Sequence, residues 1–288
     1  MEVETPIVVR AAVSDVHLES LAVQQSDGAI VGYLHTSPEY AMKRLLCAGS
    51  PDIYQVGHVF REGERGRRHN PEFTMVEWYR LGIDHHALMT DVERLLRALL
   101  EPHRSVGPTR KVTYAEAFDA ALGIDPFSCD IDRLRSAIVA RGGSVPESLG
   151  DSARDDLLDL AMGTLVAQSF AGDRITFLHD FPASQAALAR IRGPVASRFE
   201  AFWGSLELAN GFHELGDAGE QRRRFEADLA GRRLRGRPTR PTDERFLAAL
   251  ANGLPACAGV ALGFDRVVMI AAGASGIDEV MAFPNERA

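Results

Sequence analysis

Val59 to Arg80 reads V-F-R-E-G-E-R-G-R-R-H-N-P-E-F-T-M-V-E-W-Y-R. Its first two residues end a run, Ile53 to Phe60, whose Ile, Tyr, Val and Phe content predicts a strand. Phe73 to Tyr79 predicts a second strand on the same grounds. The loop between them, Arg61 to Glu72, carries Arg61, Arg65, Arg67 and Arg68. Two β-prone runs joined this way predict an antiparallel hairpin with a positively charged tip.

Upstream, Ala29 to Leu34 is a short β-prone run leading into Ser37-Pro38-Glu39. Ser37 suits an N-cap and Pro38 a first helical position, so Tyr40 to Ala48 is expected as a helix stopped by Gly49. Downstream, residues from about 85 to 170 read mainly as helix. Asp91 to Leu100 and Arg154 to Ala167 have apolar residues at helical spacing, and Gly142, Gly143 and Pro146 punctuate a loop. Ile175 to Leu178 and Ser205 to Ala209 read as short strands, Asp217 to Ala230 as a polar helix. Gly259 to Leu262 reads as a strand, and Asp265 to Ala272 as a buried helix after Gly263. Antiparallel strands with helices in long insertions make an α+β fold, an antiparallel β-sheet flanked by helices, and not a doubly wound sheet. No repeat, low-complexity tract or Gly/Ser linker divides the 288 residues, so one domain over residues 1–288 is expected.

Composition sets outer bounds. With 45% hydrophobic and 25% charged residues the chain is globular, not disordered. Forty acids against 32 bases, a net charge of −8, argue against broad nucleic-acid binding and leave room only for a local basic patch. Lys43 and Lys111 are the only lysines, an arginine bias that fits a GC-rich genome. Cys47, Cys129 and Cys257 are too far apart for a disulfide scaffold or zinc knuckle, which points to a reducing, cytoplasmic compartment. The start M-E-V-E-T-P lacks the apolar run of a signal peptide. Gly259 to Ala272 carries Asp265 and Arg266 and is too short and too charged to span a bilayer.

Polar residues gather in four islands: Thr36 to Glu39, Arg61 to Tyr79, Glu207 to Glu214, and Gly259 to Arg266. Singly, each has a plain structural reading. Glu39 favours a helix dipole, the loop arginines form a solvated tip, Glu207 and Glu214 are surface carboxylates, and Arg266 is half of an ion pair. Together they resemble the signatures of class II aminoacyl-tRNA synthetases. Val59 to Arg80 is similar to motif 2 of that family and G-V-A-L-G-F-D-R, Gly259 to Arg266, to motif 3. L-E-L-A-N-G-F-H-E-L, Leu206 to Leu215, resembles the lysine-specific subgroup. With T-S-P-E-Y-A-M-K-R-L-L, H-N-P-E-F-T-M-V-E-W-Y-R and F-P-A-S-Q-A-A-L-A-R, the likeness narrows to stand-alone lysyl-tRNA synthetase paralogues. Those enzymes attach an (R)-β-lysyl group to a lysine of translation elongation factor P. The resemblance covers nearly the whole chain.

It implies a class II catalytic domain that uses ATP and Mg2+ to activate lysine or (R)-β-lysine, with elongation factor P as acceptor in the cytoplasm. Attack on the α-phosphate needs positioning and cations to spread charge. By resemblance Arg61 holds the α-phosphate bidentately, His69 and Arg266 bind the distal phosphates, and Phe73 stacks on adenine, with Arg266 over its other face. Glu62, Gly63, Asn70, Glu207, Leu208 and Gly263 fall in the same ATP site, Gly263 letting backbone approach the nucleotide. Arg61 and Arg266 carry the catalysis. Glu207 and Glu214 are hard oxygen ligands for Mg2+. Ser37, Pro38, Glu39, Glu77, Tyr79, Asn210 and Glu214 line the amino-acid site, so Glu214 serves either the ammonium or the metal.

The sequence departs from the family in two places. Motif 2 usually reads Arg-x-Glu, and here the Glu position is Gly63, flanked by Glu62 and Glu64. Glu2 to Pro6 matches only the strand end of motif 1, without the preceding helix that builds the family's homodimer interface. A shortened variant, or a start placed too far downstream, is expected. No anticodon-reading domain precedes motif 1, so a protein and not tRNA is the expected acceptor. The alternatives are a truncated lysine–tRNA ligase and a non-catalytic paralogue. The choice between lysine and (R)-β-lysine turns on pocket geometry near Ser37. Arg222 to Arg240 is an arginine cluster, read either as a solvated helix and loop face or as a dock for an acidic partner.

Overall fold

The computed structural model describes residues 1–147, 149 and 154–288. In chain order the elements are β1 (Val8–Val9), β2 (Ala22–Gln24), β3 (Ile30–Leu34), α1 (Glu39–Cys47), β4 (Ile53–Phe60), β5 (Glu72–Leu81), α2 (His85–Leu100) and β6 (Arg110–Thr113). There follow α3 (Tyr114–Leu122), α4 (Ile131–Ala140), α5 (Arg154–Ala161), β7 (Ile175–Pro182), β8 (Ile191–Arg192), β9 (Val195–Trp203) and β10 (Leu206–His213). The chain closes with α6 (Ala218–Leu234), α7 (Glu244–Asn252), β11 (Cys257–Gly263) and α8 (Phe264–Ala272). The chain forms two compact units, residues 1–84 with 214–288, and residues 85–213.

The first unit is organised by the predicted hairpin. β4 and β5 pair antiparallel from Ile53 opposite Tyr79 to Phe60 opposite Glu72. β11 adds to the other side of β5, antiparallel, with Gly259 opposite Tyr79 and Ala261 opposite Glu77. A small separate sheet has the order β1-β3-β2. Glu2 forms an isolated parallel bridge with Tyr54, so the E-V-E-T-P segment does run alongside β4. Met42 and Leu46 of α1 pack with Ile53, Tyr79 and Cys257 to make this unit's apolar centre. The helix begins at Glu39, with Pro38 at the cap, one position earlier than expected. The Ser37 hydroxyl still accepts the Glu39 N–H at 3.0 Å.

The second unit holds antiparallel pairs β7–β9 and β9–β10 with β6 parallel to β7. Helices α3, α4 and α5 cover it through Phe118, Leu134, Ile138, Leu157 and Leu158, all fully buried. α3 starts on a capping box, Thr113 with Glu116, and α4 on Asp130, which explains their sharp starts. The helix read as Arg154 to Ala167 loosens at Met162 into a π turn and then a 3-10 turn. The strand read as Ile175 to Leu178 runs on to Pro182 across a bulge between His179 and Phe181.

The arginine cluster divides. Arg222 of α6 pairs with Glu244 of α7 at 2.6 Å, and Arg223 and Arg224 pair locally with Glu220 at 2.6 and 3.0 Å. Arg232 is different, with 1% exposure. Its guanidinium donates twice to Glu19 at 2.7 Å, to the carbonyls of Asp15 (2.7 Å) and Leu18 (3.0 Å), and to Pro238 (2.9 Å). Glu19 in turn accepts the Glu62 N–H on its backbone carbonyl at 2.9 Å, at the foot of the basic loop.

Replacing Arg232 with Ala leaves the Glu19 carboxylate to the longer pairs with Arg237 (3.7 Å) and Arg240 (4.0 Å) and takes the donor from three carbonyls. Urea unfolding should show a loss of about 3–5 kcal/mol, with Lys recovering only a minor part because it lacks the planar fork. A loss below about 1 kcal/mol would contradict a structural role for this arginine.

Candidate active site

Alternation along β5 buries Met75, Glu77 and Tyr79 on one face. Glu77 is a carboxylate in a position that would ordinarily hold an apolar side chain. Its two oxygens are both engaged: Ser37 Oγ donates to Oε2 and the Tyr79 hydroxyl to Oε1, each at 2.7 Å. Beside them Lys43, one turn beyond Glu39 on α1, donates to Glu39 Oε1 at 2.6 Å and lies 2.5 Å from Glu214 Oε2. Lys43 is fully buried, and Glu77 and Glu214 are 2% and 1% exposed. Phe246 of α7 lies under the ammonium at 6.0 Å.

This cluster is short of positive charge, with three carboxylates around one ammonium. Burial pushes Glu77 up to about 7, with the charge of Glu39 adding to the push and the two hydroxyls opposing it. Burial pushes Glu214 up to about 8 even against Lys43. For Lys43 burial alone would favour the neutral amine, but Glu214 and Glu39 outweigh it and hold the ammonium above the usual lysine range. Burial, then Glu77, lifts the Tyr79 phenol well above its usual value. Near neutral pH the cluster therefore keeps protons that an added cation would displace. Gly259 makes room for it: a Cβ there would collide with the Tyr79 ring and the Glu214 carboxylate.

The basic loop is anchored, not a free tip. Arg61 N–H donates to Pro71 at 2.8 Å, and the Arg61 guanidinium lies 5.1 Å from the Phe73 ring centroid. Gly63 turns the chain in the left-handed region at φ 79° with open space where a side chain would be. The carboxylate that reaches Arg61 belongs to Glu64, at 3.4 Å. Arg67 donates to Ser275 at 2.7 Å and accepts the Ile277 N–H at 2.9 Å. Asp265, in the first turn of α8, accepts the Thr74 N–H at 2.7 Å, and the next residue, Arg266, donates to the Arg68 carbonyl at 3.4 Å. His69 exchanges backbone hydrogen bonds with Gly66. The Asn70 amide is spent on Glu72 (2.6 Å) and Asn285 (3.0 Å). Gly263 caps α8 at φ −76°, a conformation open to any residue.

Glu207, Leu208 and Asn210 lie on β10 in the second unit, where Asn210 faces Glu200 across the ladder and Leu208 is buried. Burial pushes Glu200 up to about 7; Arg198, 2.5 Å away, opposes this and the charge of Glu207 adds to it. Asn210 Oδ1 is buried without a hydrogen-bond partner among the described residues.

Among the residues expected at the site, the structure thus brings Ser37, Glu39, Glu77, Tyr79 and Glu214 into one cluster, and sets Arg61, Phe73 and Arg266 around one loop. The sequence reading gave no site role to Lys43 or Gly259, while Glu64 was named there as a flank of Gly63. Lys43 had a signal: a lysine on the helix face that carries Met42 and Leu46, one turn beyond Glu39.

A family model described as tRNA synthetases class II (D, K and N) matches residues 1–287. Proteins named elongation factor P–(R)-beta-lysine ligase are similar over full length. That of Vibrio cholerae is 46% identical, covering 100% of this chain and 90% of its own. Those of Proteus mirabilis and Klebsiella pneumoniae are 48% and 47% identical, covering 100% of this chain and 89% of theirs.

Glu77 titrates near 4.5 when unperturbed and about 7 in the cluster. The folded protein then binds more protons than the unfolded one between those values. That contribution to stability is complete below the lower value and is lost as pH rises through the upper one. Glu77→Gln removes it. The stability of the variant relative to the parent should grow by about 2–3 kcal/mol from pH ~4.5 to ~8, read by urea unfolding without ligand. A difference that stays constant with pH would refute the assignment.

Proposed function

The chain belongs to the class II tRNA synthetase family of the D, K and N type, and from that membership we propose an ATP-dependent ligase that activates (R)-β-lysine, or lysine, and passes it to a lysine side chain of elongation factor P. The observation that carries the substrate class is the cluster of buried Glu77 and Glu214 and half-buried Glu39 around one internal ammonium. A neutral or acidic amino acid would leave that charge deficit unrelieved, whereas a substrate with two ammonium groups relieves it. The acceptor is carried by the similarity to the named ligases.

In the first step a substrate carboxylate oxygen attacks the α-phosphorus of ATP and pyrophosphate leaves. Arg61 holds the α-phosphate with its planar fork, and Phe73 offers its ring to adenine. Arg266 and His69 hold the distal phosphates. The Glu62–Gly63–Glu64 turn stands where the family's Arg-x-Glu stands, with Glu64 as the carboxylate that orients Arg61. Asn70 shapes the loop through Glu72 and Asn285. Ser37 and Tyr79 hold the Glu77 carboxylate toward a substrate ammonium, and Pro38 sets the start of α1 beside it.

Glu214 is assigned to the amine because an ammonium already occupies it. Glu207 is the hard oxygen donor proposed for Mg2+ on the strength of the family membership. The ion, when bound, would supply positive charge to the departing pyrophosphate.

In the second step the neutral amine of an acceptor lysine attacks the adenylate carbonyl, an amide forms and AMP leaves. Self-modification at Lys43 is disfavoured, because that amine is buried and held charged between two carboxylates.

The test incubates the chain with ATP, Mg2+ and radiolabelled (R)-β-lysine or lysine, in the presence of both elongation factor P and tRNA. The expected product is base-stable label on elongation factor P, falling by about a hundredfold or more in Arg61→Ala. Base-labile label confined to tRNA would replace this reading with a lysine–tRNA ligase, and no adenylate formation with either isomer would remove the enzyme reading.

A further inference from the structure

We propose that His85, His86 and Asp180 form a binding site for a divalent transition-metal ion, Zn2+ foremost. The inference does not rest on the ligase reading. One nitrogen from each histidine and one aspartate oxygen lie within 4.8 Å of one another. The His85 and His86 rings are 4.1 Å apart, centroid to centroid, and His85 Nε2 is 3.8 Å from Asp180 Oδ1.

The fold assembles these groups from two places in the second unit. His85 and His86 are the first two residues of α2. Asp180 lies at the bulge in β7, where the register slips between His179 and Phe181. It is one of two described non-glycine residues with positive φ, at 60°. Regular alternation would send neighbours His179 and Asp180 to opposite faces of the strand. The bulge re-aims them, and His179 Nδ1 comes within 3.1 Å of Asp180 Oδ2. The His86 ring meets the His179 ring edge-on at 5.3 Å, and the His213 ring lies 6.5 Å from His85. Three of the nine histidines in the chain, His85, His86 and His179, are therefore gathered around one carboxylate, with His213 beyond His85.

The donor set selects the ion. Two imidazoles and one carboxylate suit Zn2+ or its neighbours, not Mg2+, which prefers oxygen alone. Three protein ligands leave a fourth position for water or an exchangeable group. Ligands at about 2.0–2.1 Å from a tetrahedral ion sit roughly 3.4 Å apart, so side-chain movements of about an ångström close the set. His179 would orient Asp180 from outside, as a carboxylate ligand requires. Filling the site would tie the start of α2 to the bulge of β7.

The experiment titrates Zn2+ into the chelator-treated full chain by calorimetry and records the visible spectrum with Co2+. One saturable equivalent is expected. The Co2+ spectrum should show nitrogen and oxygen ligation, without the thiolate charge-transfer band that Cys47, Cys129 or Cys257 would produce. His86 is exposed, so His86→Ala leaves the core intact; it should abolish saturable binding, as should Asp180→Asn. His179→Ala should weaken binding by about 10–100-fold. Zn2+ should raise the melting temperature of the parent and leave that of His86→Ala unchanged. Absence of saturable binding, binding undiminished in His86→Ala, or a thiolate band would overturn the proposal. The Co2+ spectrum of the parent protein decides the ligand type without any variant.

Discussion

The ammonium of Lys43, enclosed between Glu39 and Glu214, is the contact on which the arrangement of this site depends. It is fully buried, and a buried charge is tolerable only when it is paired at close range. The pair draws α1 toward the segment that follows β10 and, through Glu214, toward Gly259 on β11. Glu77 enters the same enclosure from β5 without a cation of its own, held by two hydroxyl groups instead. The cluster is therefore charge-deficient by construction. A hydrophobic replacement for Lys43 would leave Glu214 buried and unpaired, while a second lysine would fill the space a substrate ammonium needs.

The basic loop between β4 and β5 depends on a second buried cation used in the opposite way. Arg232 is saturated by protein acceptors and has nothing left to offer a ligand. What it does is fix Glu19, whose carbonyl receives the N–H of Glu62 next to Arg61. Arg67 and Asp265 tie the far end of the same hairpin to the C-terminal segment and to α8. Loops rich in arginine are ordinarily mobile and self-repelling. Here backbone anchors on both sides hold Arg61 over Phe73, which suits the phosphate contact proposed for it, since no ordering is then needed.

The hairpin was legible because alternating β-prone residues and a polar loop are local signals; β4 has the bounds expected from its composition. β9 escaped because V-A-S-R-F-E-A-F-W is buried on both faces and has no alternation to read, and its charges, Arg198 and Glu200, neutralise each other in place. β10 ran beyond Ala209 because Asn210 and Gly211, which look like a turn, continue the ladder opposite Glu200 and Phe199. At the site, the carboxylates and hydroxyls were marked by motif. Their partners were less so, since Lys43 and Gly259 meet Glu214 only in the folded chain. Arg232 was hidden inside a cluster in which Arg222, Arg223 and Arg224 make less buried pairs from α6, and burial tells it apart from them.

The claim that the site is an enclosure short of positive charge is tested most directly by calorimetry of lysine or (R)-β-lysine binding near pH 7 in buffers of different ionisation enthalpy. Glu77 and Glu214 hold protons in this range before the ligand arrives, at about 7 and about 8. An entering ammonium favours their charged forms and expels those protons. The account predicts net proton release on binding, fading above about pH 9 as both carboxylates become ionised beforehand. Binding with no proton release, or with uptake, would contradict it.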